Sequence, residues 1–309
     1  MDERVLLRCL FTLAQGMDTF EQFLAEHADD KIVTVTPGGN HGDTLIHMGM
    51  IKKLEELGCH YQCLNLEEIY KRRIQVGAKY LLNIAAWCLD IDRGFSLFKI
   101  PRDADLILFD GGGYMNDVWY GSVLLRQVMR CHKQPIAIAP QSYLFRKTDF
   151  MDFFEKGREA TLFCREQYSL EHLSSTSVPE NVRIFLSGDT ALYLEKEDLN
   201  ECIESSSETF DLVCFRQDKE SIISQQSKRE IIEGTENPIV EDISKMGELG
   251  DFISIVSNAR RIYTDRLHVA ILGHILNKET TLYNNRYHKN KGVYEYSLMK
   301  NSKVRYEEL

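Results

Sequence analysis

RRIYTDRLHVAILGHILNKETTLYN, Arg260 to Asn284, is the stretch that decides the fold class. The β-rich run RRIYT gives way to an apolar helical run from Asp265 to Leu276, and a second β-rich run, ETTLYN, follows. Strand, helix and strand in that order read as a βαβ unit with parallel strands. The same alternation extends through the chain from Lys31 onward. KIVTVT, HYQCLN, ADLILFD, PIAIAP, ATLFCR, VRIFLS and FDLVCFR are each followed by a turn or a helix-compatible segment, with helices expected over Asp242 to Asn258 and from about Val293. The pattern predicts an α/β protein.

Between Glu195 and Thr209 the alternation lapses into EKEDLNECIESSSET, acidic and serine-rich with no apolar period, which reads as an interdomain linker. With 309 residues the chain can fill two cores of ordinary size. The expected organisation is two Rossmann-like domains facing a cleft, residues 1–198 and 199–309.

Composition narrows the partners. A net charge of −10 repels nucleic acid on average, so an anionic ligand needs a local cluster of cations. No apolar run approaches the ~20 residues of a membrane span. The amino terminus, MDERVLLRCLFTLAQGMDTFEQFL, mixes acids into its apolar positions and reads as an amphipathic helix, not a signal peptide. The eight cysteines are scattered without a CxxC pair, which points to reduced core thiols and against a metal site or a disulfide framework. Together with the absence of an Asn-x-Ser/Thr sequon, this predicts a cytoplasmic protein.

In parallel sheets, ligands gather at the carboxyl ends of strands, and the unusual polar clusters of this chain fall there. TPGGNHGD, Thr36 to Asp43, follows the first strand and precedes a helix. Gly38, Gly39 and Gly42 can bring bare backbone N–H groups to an anion, or the segment can be a tight turn capped by Asn40 or Asp43. FDGGGYMNDVW, Phe109 to Trp119, places Gly112 and Gly113 at the end of the third strand, where consecutive glycines suggest close approach to the backbone. APQSYLF ends the next strand with Gln141 and Ser142, neutral groups suited to sugar hydroxyls or a carboxylate. In the second half, Arg216 ends FDLVCFR, Arg266 and His268 follow RRIYT, and Lys289 follows ETTLYN. Three strand ends that each offer a cation read as a pocket for a small polyanion.

Arg266 and His268 break an apolar pattern. Residues two apart on a regular helix point to opposite sides, so the pair can converge only if the helix starts at or just after Arg266. An imidazole held there is a proton donor suited to neutral pH.

In order along the chain, GGNHGD, DGGGYMNDVW, APQSYLF, FCREQYS, SGDTALYL, DRLHVAILG and YNNRYHKN resemble the polysaccharide pyruvyl transferases, which move the pyruvyl group of phosphoenolpyruvate onto sugar hydroxyls. The likeness spans Thr36 to Ser297. It implies a glycosyltransferase B-like fold with phosphoenolpyruvate in the interdomain cleft, His268 as catalytic acid, and Arg216 and Arg266 on the donor's phosphate and carboxylate. Lys289 becomes a further donor contact. Asn40, Gly42, Asp43, Gly112, Gly113, Gln141, Ser142 and Arg165 would line the cleft toward acceptor or donor. One departure is GGGYMNDVW, where relatives often carry Asn-Phe-Gly-Asp after the glycines.

The implied reaction protonates the methylene carbon of phosphoenolpyruvate and closes a ketal on two saccharide hydroxyls. It calls for no metal and no cofactor, with phosphoenolpyruvate as co-substrate. The acceptor would be a saccharide or a lipid-linked oligosaccharide, and any membrane association would be peripheral, through that acceptor. Two rivals share the fold: a nucleotide-sugar glycosyltransferase, for which Glu241 and Glu248 would have to supply a ribose-binding carboxylate pair, and a non-catalytic glycan- or anion-binding protein.

Overall fold

The computed structural model describes residues 17–309 except 90, 92, 93, 98, 120, 155, 156 and 205–207. Its contacts divide the chain into two compact units. The first comprises the residues to Gly38 and Met50–Gly188; the second comprises Gly39–Gly49 and Asp189–Leu309. This division departs from a single cut after residue 198, because eleven residues around GGNHGD leave the amino-terminal half and pack with the carboxyl-terminal one.

The first unit opens with α1 (Thr19–Glu26), whose Asp18 and Glu21 form a reciprocal capping box. Most of the amphipathic helix expected at the amino terminus, and Cys9 within it, lies outside the described residues. Next come β1 (Lys31–Thr36), α2 (His41–Glu56), β2 (His60–Asn65), α3 (Leu66–Arg72), α4 (Ile74–Cys88), β3 (Leu106–Phe109), α5 (Gly121–Cys131), β4 (Ile136–Gln141), β5 (Ala160–Cys164), α6 (Gln167–Ser174) and β6 (Val182–Leu186). The six strands are parallel in the order β2-β1-β3-β4-β5-β6. Strand order reverses between β1 and β3, the point at which such sheets open a crevice. Both faces of β1, β3, β4 and β5 are buried, so these strands read as continuous apolar runs, with Val33, Ile107, Ile138 and Leu162 all in one core.

The second unit follows the same plan with β7 (Phe210–Cys214), α7 (Gln225–Glu233), β8 (Pro238–Val240), α8 (Leu249–Asn258), β9 (Ala259–Thr264), α9 (Leu267–Ile275), β10 (Glu279–Tyr283), α10 (Lys289–Val293) and β11 (Val304–Glu307). Its parallel sheet runs β11-β10-β9-β7-β8, so the order reverses between β7 and β9. The core gathers Leu212, Ile253, Ile262, Ile271 and Leu282, and Leu45 and Ile46 from the start of α2 pack into it.

The strands read from the sequence are present, and the α/β class with parallel sheets is the one observed. Four readings are corrected. The segment taken as linker holds a 3-10 helix, Lys196–Cys202, whose Leu199 is buried in the second core with Cys202 packed against it; two such residues in seven leave no period to detect. The helix expected over Asp242 to Asn258 is a 3-10 turn at Ile243–Lys245 followed by α8, because Glu248 and Asp251 form a capping box that starts a new helix. The last helix begins at Lys289, not Val293, and β8 and β11 are additional strands. Of the cysteines, Cys59, Cys164 and Cys214 are buried thiols, Cys202 is half-buried, and Cys63, Cys88 and Cys131 are exposed. Burial pushes the Cys59 thiol up to about 11, far from a reactive thiolate. No helix among the described residues is long and apolar enough to cross a membrane.

Candidate active site

The carboxyl ends of β7 and β9 are neighbours, since Cys214 pairs with Thr264. Thr264 pins the turn beyond them: its Oγ1 donates to the Cys214 carbonyl at 2.6 Å and accepts from the Arg266 N–H at 2.9 Å. Asp265 ties the two strand ends together, with Oδ1 accepting from the Arg216 N–H at 2.7 Å. Arg266 is the N-cap of α9, with φ −87° and ψ 107°, so the helix starts one residue later. The condition set by the spacing of Arg266 and His268 is therefore met.

Arg216 and Arg266 are both buried. Arg216 grips Asp218 bidentately, Nε to Oδ1 and Nη2 to Oδ2, each 3.0 Å. Arg266 Nη1 reaches the same carboxylate at 3.2 Å while its Nε and Nη2 hold Asp242. Lys289 donates to Glu220 at 2.5 Å, and Glu220 also lies 3.2 Å from Arg216 Nη1. Arg216, Arg266 and Lys289 thus form one network with Asp218, Glu220 and Asp242, three cations against three carboxylates. Burial alone would raise the Asp218 carboxyl; the hydrogen bonds and charge of Arg216, a backbone donor from Glu220 and the charge of Arg266 outweigh it and hold it down at about 2. Asp265 goes the other way, raised by burial despite its hydrogen bond from Arg216. Burial opposes the charge on Arg216, yet Glu220, Asp218 and Asp265 more than compensate and raise it.

His268 has other partners. Its Nε2 lies 3.4 Å from Oδ2 of the buried Asp189, which also caps the following turn through Oδ1 to the Ala191 N–H at 2.9 Å. The other side of the imidazole faces Gly42, in the first turn of α2. Asn40 and Asp43 take the capping role that the sequence left open: Asn40 Oδ1 accepts from the Gly42 N–H at 2.8 Å, and Asp43 Oδ2 accepts from the Asn40 N–H at 2.9 Å.

A separate set occupies the first unit. Gly112, with φ 129°, forms an isolated bridge with Gln141. Gly112 accepts from the Ser142 N–H at 2.8 Å, and Gln141 accepts from the Arg165 N–H at 3.1 Å. Arg165 Nε donates to Ser142 Oγ at 2.8 Å. Gly113 accepts from Asn116 Nδ2 at 2.9 Å. Gln141 is fully buried, yet neither polar atom of its amide has a partner among the described residues. Such an orphaned amide is a cost that a polar ligand would relieve. Among the described residues no group of three or more His, Cys, Asp or Glu side chains is placed to hold a metal.

A model of the polysaccharide pyruvyl transferase family matches residues 40–287. The chain belongs to that family. Membership supports a pyruvyl-transfer role in glycan biosynthesis. A functionally uncharacterised protein from Klebsiella pneumoniae has the same fold, with a TM-score of 0.63 and 22% identity over 93% of this chain and 96% of that one. Weaker likeness extends to two UDP-GlcNAc 2-epimerases. The Methanocaldococcus jannaschii enzyme, in complex with UDP-GlcNAc and UDP, gives a TM-score of 0.47 at 12% identity over 90% of this chain and 89% of that one. The Neisseria meningitidis enzyme, bound to UDP-GlcNAc, gives 0.43 at 12% identity over 89% and 86%. No curated protein gives a significant match.

For a polysaccharide pyruvyl transferase, then, the residues singled out by sequence fall into three groups: the cation network of Arg216, Arg266 and Lys289; His268 with Gly42 and the Asn40–Asp43 cap; and Gly112, Gly113, Gln141, Ser142 and Arg165 in the first unit. What sequence reasoning missed are the carboxylates. Asp218 and Glu220 had a local signal, RQDKE, which places acids two and four residues after Arg216. Asp242 and Asp189 lie 24 and 79 residues from their partners, and no local pattern announces them. Glu248, considered as half of a ribose-binding pair, instead caps α8.

Proposed function

We propose that this chain transfers the pyruvyl group of phosphoenolpyruvate to two hydroxyls of a saccharide, forming a pyruvate ketal in exopolysaccharide or cell-surface glycan biosynthesis. The acceptor is a saccharide or a lipid-linked oligosaccharide, met in the cytoplasm. The observation that carries the reading is the Asp218 carboxylate shared by Arg216 and Arg266. Two guanidinium groups that already grip one carboxylate offer the forked donors that a phosphate or carboxylate of the donor needs. Asp218, with 29% of its side chain exposed, is the carboxylate an incoming anion would displace.

The chemistry follows from the donor. His268 gives a proton to the methylene carbon, and the adjacent carbon becomes electrophilic enough for a sugar hydroxyl to attack. Arg216, Arg266 and Lys289 hold the phosphate and carboxylate as charge redistributes. The C–O bond to phosphate then breaks, and a second hydroxyl closes the ketal. Of the two hydroxyl protons released, one returns to His268 and the other leaves on phosphate. Asp189 orients the imidazole through its 3.4 Å contact.

Phosphate release from phosphoenolpyruvate against a panel of glycan acceptors, run beside nucleotide-sugar hydrolysis, tests the proposal. Acceptor-dependent phosphate release is expected, with the ketal seen by mass. Turnover of a nucleotide sugar with no phosphate released from phosphoenolpyruvate would overturn it.

A further inference from the structure

A cavity of about 990 Å³ lies in the first unit, lined by residues from the end of α4, from α5 and from the segment that leads into β5. Among the described residues five cations line it, Arg126, Arg130, Lys133, Lys147 and Arg158, against two acids, Asp149 and Asp152. In a chain of net charge −10 this surplus of positive charge is a local exception. Lys133 and Arg158 stand just before β4 and β5, whereas Gln141 ends β4, so the cavity is distinct from the polar set around Gln141. The network of Arg216, Arg266 and Lys289 belongs to the second unit.

Arg158 carries the sharpest signal. Burial lowers it, and among the described residues no carboxylate raises it back. Its Nη1 is buried without a hydrogen-bond partner among the described residues. His132, on the same wall, is held below its ordinary value by burial and by the Arg158 charge, as a positive local field requires. A guanidinium left uncompensated in this way is a cost that an anion in the cavity would relieve.

Other bonds fix the wall before any ligand arrives. Arg126 lies over the Trp87 ring, 5.2 Å from its centroid. Asp117 Oδ2 accepts from the N–H groups of Arg146 at 2.6 Å and Lys147 at 2.8 Å. Asn181 Nδ2 donates to the carbonyls of Phe154 and Arg158. The backbone that carries Lys147 and Arg158 is therefore set in advance, which lowers the ordering cost of binding.

We propose that this cavity is a binding site for a soluble polyphosphate. Five cations against two acids leave more positive charge than a single phosphate, with about two negative charges, can offset, and a pyrophosphate group meets the surplus. The proposal stands independently of which group the enzyme transfers.

Calorimetric titration of the full chain with inorganic pyrophosphate tests it. Pyrophosphate should bind the wild type and should still bind Arg266→Lys, whose substitution lies in the donor network. Affinity should fall about tenfold in roughly 0.5 M salt and tenfold or more in Arg130→Glu with Lys133→Glu. The neutral pair Arg130→Gln with Lys133→Gln should weaken it less, and a wild-type melting temperature shows that either pair is folded. Intrinsic fluorescence should change during the titration, and Trp87→Phe should remove that change. Absence of pyrophosphate binding at low salt overturns the proposal. So does binding that Arg266→Lys abolishes and both pairs leave intact, which would return the anion to the donor network. Orthophosphate binding as tightly as pyrophosphate would overturn the polyphosphate class. Flotation with phosphatidylglycerol vesicles, without pyrophosphate binding, would assign the cations to a lipid surface and overturn it as well.

Discussion

Gly42 stands where the His268 imidazole leaves no room for a side chain: a Cβ built on it would lie 2.7 Å from His268 Cβ and 2.8 Å from Nδ1. Elsewhere in a helix, glycine to alanine gains up to ~1 kcal/mol. Here the methyl group must push the imidazole aside or displace Asn40 Oδ1, 2.9 Å away. Gly42→Ala is therefore expected to lower kcat about tenfold or more while donor KM changes little, with no gain in melting temperature. Steady-state kinetics beside a thermal melt checks this; wild-type kcat would show that His268 needs no such clearance.

Removing the imidazole addresses the proton. His268→Gln keeps a hydrogen-bonding side chain but cannot deliver a proton, so kcat should drop roughly 10²-fold with donor binding preserved. Asp189→Asn should cost less in kcat, because it loosens the imidazole without removing it. If the glutamine variant binds donor poorly but turns over normally at saturation, His268 belongs to binding and the acid is another group.

The paired arginines make a sharper distinction. Arg266→Lys preserves charge but cannot hold two carboxylates as the guanidinium holds Asp218 and Asp242, so donor KM should rise tenfold or more. Arg216→Ala should do the same and also take from Glu220 a cation that it shares with Lys289. Titration with phosphoenolpyruvate in a thermal melt measures both, and wild-type stabilisation in both variants would take these residues out of the donor site.

Acid should weaken the fold through Asp218. Its carboxyl is held at about 2, below the ordinary ~3.9 of an unfolded chain. A depressed carboxylate stabilises the folded state above the unfolded value, and that contribution is lost as pH falls through the folded one. Up to about 2 kcal/mol should therefore disappear between pH ~4 and ~2. Asp218→Asn should flatten this part of the stability profile in urea melts; an unchanged slope would mean that the ion pair contributes nothing.

The strand ends were legible because strands and helices leave local periods. RRIYT and FDLVCFR announce β9 and β7 and put Arg216 and Arg266 at strand ends; that the two strands are neighbours comes from their pairing. Short elements hide: β8 has three residues, and the buried Leu199 sits alone among acids and polar residues. The opening of α2 hides differently. Its residues look like any turn after a first strand, and only long-range packing of Leu45 and Ile46 against the second core takes Gly39–Gly49 out of the amino-terminal half.

By itself, then, the sequence determined the class of fold, the positions of its longer strands and the residue types at their ends, because each depends on neighbours a few positions away. Tertiary structure alone decided which distant charges meet. Asp242 reaches Arg266, Asp189 reaches His268, and Gly42 clears space for that imidazole across more than two hundred residues of chain. Such pairings arise from the folding of distant segments onto one sheet end, and no local period encodes them.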